Sequence, residues 1–160
     1  MGAMTVKKET RGSNLCYDFV GQIDEDASFA ALDPAGNKSI VFNLEGVASV
    51  NSCGIREWIK WLKTFPSDAK ITYSRCPKLI VDQMNMVAGF FPKGATVESF
   101  FVPYYCEECG TENLNSFNNG KEFSGKQVSA PESIKCTKCG AAAEIDVIES
   151  KYFKFLETQG

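Results

Sequence analysis

The sequence predicts an α/β domain over residues 13–103, followed by a small metal-held ribbon over residues 104–160. Three observations carry this. Strand-like and helical apolar patterns alternate as far as residue 102, which is the signature of a partly parallel sheet with helices packed on it. The pattern Cys-x-x-Cys-Gly then occurs twice in the tail. Histidine is absent, so a transition-metal site must be built from thiolates or carboxylates.

The elements read in order as follows. Met1-Gly2-Ala3-Met4 has the look of a cloning remnant, and residues 1–12 are expected to be tag and disordered N-terminus. Residues 15–23 form a first strand that breaks near Gly21. Phe29-Ala30-Ala31-Leu32 gives one or two helical turns, and Asp33-Pro34-Ala35-Gly36-Asn37 is a turn by composition. Residues 39–44 are nearly all apolar, as in a strand buried on both faces, and residues 47–50 make a second short piece. The clearest helix runs over 54–65, with Ile55, Trp58, Ile59, Leu62 and Phe65 on one face. Residues 70–74 form a strand. Pro77 suits the first position of a helix in which Ile80, Met84, Val87 and Phe91 recur. Residues 96–105 read as one aromatic-rich strand that runs straight into the first cysteine knuckle.

Composition narrows the function classes. Apolar residues make up 44% of the chain and charged residues 23%, as in ordinary globular proteins. No apolar run reaches the ~18 residues of a membrane helix, so no membrane insertion is expected. Residues 1–103 are balanced at 11 basic and 11 acidic, whereas residues 104–160 hold 6 basic and 9 acidic. An acidic tail argues against binding a phosphate backbone. Seven cysteines without a visible secretory leader fit a reducing compartment, and a cytoplasmic location is expected.

Cys106-Glu107-Glu108-Cys109-Gly110 and Cys136-Thr137-Lys138-Cys139-Gly140 match one knuckle pattern. Two thiolates three positions apart grip a metal from a tight turn, and the following glycine permits positive φ, with backbone N–H groups aimed at sulfur. Two knuckles supply a tetrahedral four-sulfur shell. That favours one structural zinc over iron or a dithiol redox pair, and a closed shell leaves no position open for catalysis. The 26 residues between the knuckles exceed the usual ~15–20 and are rich in Asn, Gly, Ser and Lys, which suggests a hairpin with a floppy tip. Few large aliphatic residues lie between the knuckles, so the metal is expected to contribute folding energy. The apolar end, with Tyr152, Phe153, Phe155 and Leu156, is expected to close the ribbon and dock on the main domain.

Before the main helix comes Gly46-Val47-Ala48-Ser49-Val50-Asn51-Ser52-Cys53-Gly54-Ile55. Asn51 or Ser52 is the expected N-cap. A helix N-terminus tolerates an anion, so a phosphate on Ser52 would fit there. The residues Ile40-Val41-Phe42-Asn43-Leu44-Glu45-Gly46-Val47, the Asn51-Ser52-Cys53-Gly54-Ile55 turn, the helix, Ile71-Thr72-Tyr73, Cys76-Pro77 and the early Gly21-Gln22-Ile23-Asp24 together resemble the STAS domain. This is the domain shared by sulfate transporters and anti-sigma-factor antagonists. The family pattern has Asp where this chain has Asn51, and Ser or Thr where it has Cys53. The resemblance covers about residues 13–102. It implies a STAS-like mixed sheet and a non-enzymatic regulatory module. It also implies a candidate phosphosite at Ser52, with the plain capping role as the alternative. The implied partners are proteins: an anti-sigma factor, a serine kinase or a transporter subunit.

The expected partner surface comprises Asp24, Asn51, Cys53, Arg56 and Trp61, the last placed at the edge of the helix's apolar face. Cys16 and Cys76 read as small buried hydrophobes. An enzyme is not expected, because the chain has no histidine, no phosphate-cradling Gly-x-x-x-x-Gly-Lys loop and no nucleophile with a base. The alternative is a nucleic-acid-associated ribbon reading through Lys121, Lys126, Lys135 and Lys138.

Overall fold

The computed structural model describes residues 4–27, 29 and 39–158. The chain begins with an antiparallel pair, β1 (Thr5–Arg11) and β2 (Asn14–Ile23). It continues through β3 (Ser39–Val50), helix α1 (Ser52–Leu62), β4 (Lys70–Ser74), helix α2 (Lys78–Met86) and β5 (Thr96–Val97). Strands β2 to β5 pair in parallel, giving a mixed five-stranded sheet in the order β1-β2-β3-β4-β5. A second, antiparallel sheet has the order β10-β11-β6-β7. Its strands are β6 (Ser99–Tyr105), β7 (Glu112–Asn118), β10 (Ser133–Lys135) and β11 (Ala142–Ile145). Between β7 and β10, β8 (Phe123–Ser124) and β9 (Gln127–Val128) form a two-stranded hairpin. A short helix α3 (Glu149–Tyr152) and a 3-10 turn (Lys154–Thr158) end the described chain.

The first sheet is one-sided. Pairing aligns Tyr17 with Phe42 and Phe42 with Tyr73, so Leu15, Tyr17, Phe19, Ile40, Phe42, Ile71 and Tyr73 share the face that α1 covers. The opposite face carries Lys7, Glu9, Arg11 and Asp18, with Arg11 2.9 Å from Glu9. Strand β3 is therefore not buried on both faces as the apolar run suggested. Ile40, Phe42 and Leu44 are buried, while Val41 and Asn43 are half-buried, the alternation of a strand with one wet side. The two pieces expected over 39–50 are one strand, with bulges absorbed in its pairing to β2.

Residues 5–11, expected to be disordered, form β1, whose alternating polar sequence suits an exposed edge. The proposed helical piece and turn over 30–37 lie outside the described residues. The aromatic run 96–105 divides at Glu98. Its first part pairs with β4, and its second part crosses to the ribbon sheet. The ribbon's sheet thus starts at Ser99 rather than at residue 104. Backbone bonds tie the crossing: Glu98 N–H donates to Tyr73 at 2.8 Å, Cys76 to Ser99 at 3.2 Å, and Phe101 to Cys76 at 2.9 Å.

The largest correction concerns Trp61. It is 6% exposed and cannot anchor a partner. The helix rolls so that both tryptophans face the sheet. Trp61 stacks on Phe29 and Phe42 at 5.0 and 5.3 Å between centroids, and Trp58 meets Phe19, Phe42 and Phe90. Trp58 Nε1–H donates to Tyr73 Oη at 3.1 Å, and the Tyr73 hydroxyl donates to the Phe90 carbonyl, so these two buried polar groups are satisfied. Gly54 makes the close approach possible, because a Cβ there would lie 2.0 Å from the Ile23 carbonyl oxygen.

The ribbon is equally fused to the rest. Phe155 packs on Phe91 of the first layer and on Phe100 of β6, at 6.2 and 5.1 Å. Asn85 of α2 donates to the Tyr152 carbonyl at 3.0 Å. The docking expected of the chain's end is therefore present. Trp61→Ala should cost about 3–5 kcal/mol of unfolding free energy in a urea titration, as for a large aromatic removed from a core. A loss below about 0.5 kcal/mol, the range of a surface site, would contradict this packing.

Candidate metal centre

Sheet order brings the knuckles together. The first knuckle is the turn between β6 and β7, and the second is the turn between β10 and β11. Strand β11 pairs antiparallel with β6, Glu144 opposite Tyr105, which puts both turns at one end of the sheet. There the Sγ atoms of Cys106, Cys109, Cys136 and Cys139 all lie within 4.8 Å of one another. Cys106 and Cys139 are 3.5 Å apart, and Cys109 and Cys136 are 3.6 Å apart. A disulfide would need ~2.05 Å. A tetrahedral shell with metal–sulfur bonds of ~2.3 Å has edges of about 3.8 Å, so these spacings suit four ligands on one ion.

The two knuckles repeat one backbone geometry. Cys106 N–H donates to Thr111 O at 3.0 Å and Gly110 N–H to Cys106 O at 2.8 Å. Cys136 N–H donates to Ala141 O at 2.7 Å and Gly140 N–H to Cys136 O at 3.0 Å. Gly110 and Gly140 hold φ of 71° and 79°, the left-handed conformation that makes glycine the residue of choice here. In the second knuckle the Lys138 N–H reaches the Cys136 sulfur at 3.4 Å.

Sequence reasoning missed Asn113, which is 4% exposed and joins the two turns. Its Nδ2 donates to Cys136 Sγ at 3.5 Å and to Thr111 O at 3.3 Å. Its Oδ1 accepts from the N–H and hydroxyl of Thr137, both at 2.9 Å. Such outer contacts orient ligands and hold them at bonding distance. Its position three residues after Gly110 carries no motif that would have marked it.

The local field differs from one sulfur to the next. The Cys139 N–H, with further help from Lys138 and Asn113, pulls the Cys136 thiol down to about 6. The Thr111 hydroxyl leads in lowering Cys109. Cys139 has a favourable Ala141 N–H, but its sulfur neighbours, Cys106 first, and burial together outweigh it and push the thiol up to about 12. The cluster accepts negative charge at one sulfur and resists it at another, the condition a divalent ion relieves.

The remaining candidates lie elsewhere. Asn51, not Ser52, caps α1, with Oδ1 accepting from Gly54 N–H at 2.9 Å. Asn51 Nδ2 donates to Glu25 at 2.8 Å, fastening the 24–26 turn to the helix start. Ser52 and Arg56 are exposed, and Asp24 and Cys53 are half-buried. Cys16 and Cys76 are buried free thiols, as expected. Lys121, Lys126, Lys135 and Lys138 are exposed, but the face beside the second knuckle also presents Glu107, Glu108 and Glu144. Among the described residues no helix is long and apolar enough to cross a membrane. No protein-family model matches the chain, and no curated protein matches it in sequence.

Two outcomes follow from this geometry. The depressed Cys136 thiol contributes stability above its ordinary value, and that contribution is lost as pH falls through about 6. Protons compete with a metal ion for the four sulfurs, so metal held at pH 7–8 should be lost progressively on acidification, as read by elemental analysis after stepwise acid dialysis. Asn113→Ala should weaken metal retention against a chelator about 10–100-fold while far-UV circular dichroism stays unchanged.

Proposed function

We propose that this chain is a non-enzymatic, STAS-like regulatory module that binds a protein partner and is braced by one structural zinc. Zinc is the ion that best suits a closed four-thiolate shell without redox chemistry. The support for the ribbon is the convergence of four Sγ atoms. The support for a STAS-like reading is the parallel β3–α1–β4–α2–β5 order and the start of α1, where Asn51 caps a first turn that carries Ser52 and Gly54.

One observation carries the regulatory reading. The cap of α1 is made by Asn51, so the exposed Ser52 hydroxyl is not spent on it. A phosphate on Ser52 would lie at the helix N-terminus, where backbone N–H groups and the dipole favour an anion. Arg56 stands one turn further along as a charge partner. The same phosphate would repel Glu25, whose carboxylate the Asn51 amide holds below its usual range. Modification would thus change the charge of the surface formed by Asp24, Asn51, Ser52 and Arg56 and loosen the Asn51–Glu25 contact. A charge change of about −1.5 to −2 alters the electrostatic complementarity on which a protein interface depends. The partner classes that fit are an anti-sigma factor, a serine kinase or a transporter-associated subunit.

Capture from cells with wild type, Ser52→Ala and Ser52→Asp tests the switch. The expected result is that Ser52→Ala retains a partner which Ser52→Asp loses, or the reverse, by at least tenfold. Equal recovery by all three would remove the switch.

A further inference from the structure

The four thiolates are not equally shielded. Cys106 and Cys136 are buried, Cys109 is half-buried, and Cys139 is exposed. Cys139 lines a cleft of about 540 Å³ together with Tyr105, Glu107, Glu108, Ala141, Ala142 and Glu144. The metal centre therefore opens to solvent through one ligand. The sulfur recorded 3.5 Å from it belongs to Cys106, in the other knuckle.

We infer that Cys139 is an oxidation site through which small neutral hydroperoxides open the metal centre, closing a Cys139–Cys106 disulfide and releasing the ion. This rests on the zinc reading above. The Cys139 thiolate attacks the near peroxide oxygen. The O–O bond breaks, sulfur is oxidised to a sulfenic acid, and the peroxide's other oxygen leaves as hydroxide, which takes a proton to become water. The Cys106 thiolate then attacks the sulfenic sulfur, the S–S bond forms, and a second hydroxide leaves. Two electrons pass from two thiolates to one peroxide. The sulfurs must close by about 1.5 Å to reach the ~2.05 Å bond, a shift within reach of two exposed turns once the ion departs. An ion left with two of its four ligands is held weakly.

The cleft also selects the oxidant. Glu107, Glu108 and Glu144, with the net negative charge of a zinc–tetrathiolate, repel anions and leave an uncharged peroxide unhindered. The predicted linkage crosses between knuckles, unlike the disulfide of an ordinary Cys-x-x-Cys redox pair.

The full chain is first assayed for zinc, then treated with one equivalent of hydrogen peroxide. Released zinc is followed with a metallochromic dye, and the cysteines are mapped by mass spectrometry. The expected result is one zinc per chain before treatment, release in step with oxidation, and a Cys106–Cys139 disulfide as the first product. First oxidation at Cys53 or within one knuckle, or a disulfide without zinc release, overturns the inference and leaves the zinc reading standing. A folded chain carrying no metal overturns both. In a second arm, the Glu107→Gln, Glu108→Gln, Glu144→Gln variant should react several-fold faster than wild type with the dianionic disulfide 5,5′-dithiobis(2-nitrobenzoate), with peroxide rates changed less than twofold. Equal acceleration of both reagents contradicts the charge filter.

Discussion

Four cysteine sulfur atoms are held within 4.8 Å of one another, and the ribbon end of this protein is organised around that crowding. Thiolates at such spacing repel strongly unless a cation sits among them. The second knuckle aims the Lys138 N–H at the Cys136 sulfur, and Asn113 ties one turn to the other. The pairing of β11 with β6 is what makes the encounter possible, since without it the two turns would lie at unrelated ends of the chain.

A metal held by the four cysteines would act locally. The tail is poor in aliphatic residues between its knuckles, but it is rich in aromatic ones away from them. Phe100, Phe117, Phe123, Phe153 and Phe155 pack together as part of the one continuous core, with Phe155 in contact with Phe91. Phe123 anchors the Asn- and Gly-rich segment that composition alone marked as floppy, and the Tyr104 hydroxyl fastens the approach to the second knuckle by donating to the Pro131 carbonyl at 2.6 Å. Such an ion would govern the exposed turns, while burial of rings holds the remainder.

Much of this was legible in the residues. The knuckles announce themselves because covalent spacing and glycine conformation are local properties. The cap at Asn51 and the apolar face of α1 are local in the same sense. What escaped depends on tertiary placement. Trp61 lies off the centre of the helix's apolar stripe by sequence period, yet Phe29 and Phe42 meet it from other elements and roll the helix toward it. Strand β1 is too polar to read as a strand, and it exists because β2 offers an edge. The division at Glu98 follows from two sheets competing for one apolar run. Asn113 is polar, carries no motif and acquires its role only when Thr137 and Cys136 arrive from β10.

X-ray absorption at the zinc edge, on the protein as isolated from cells, tests the central claim most directly. The account predicts a single zinc per chain with four sulfur scatterers at ~2.3 Å and no light-atom ligand. A shell containing nitrogen or oxygen, or a folded protein with no metal edge at all, would contradict it.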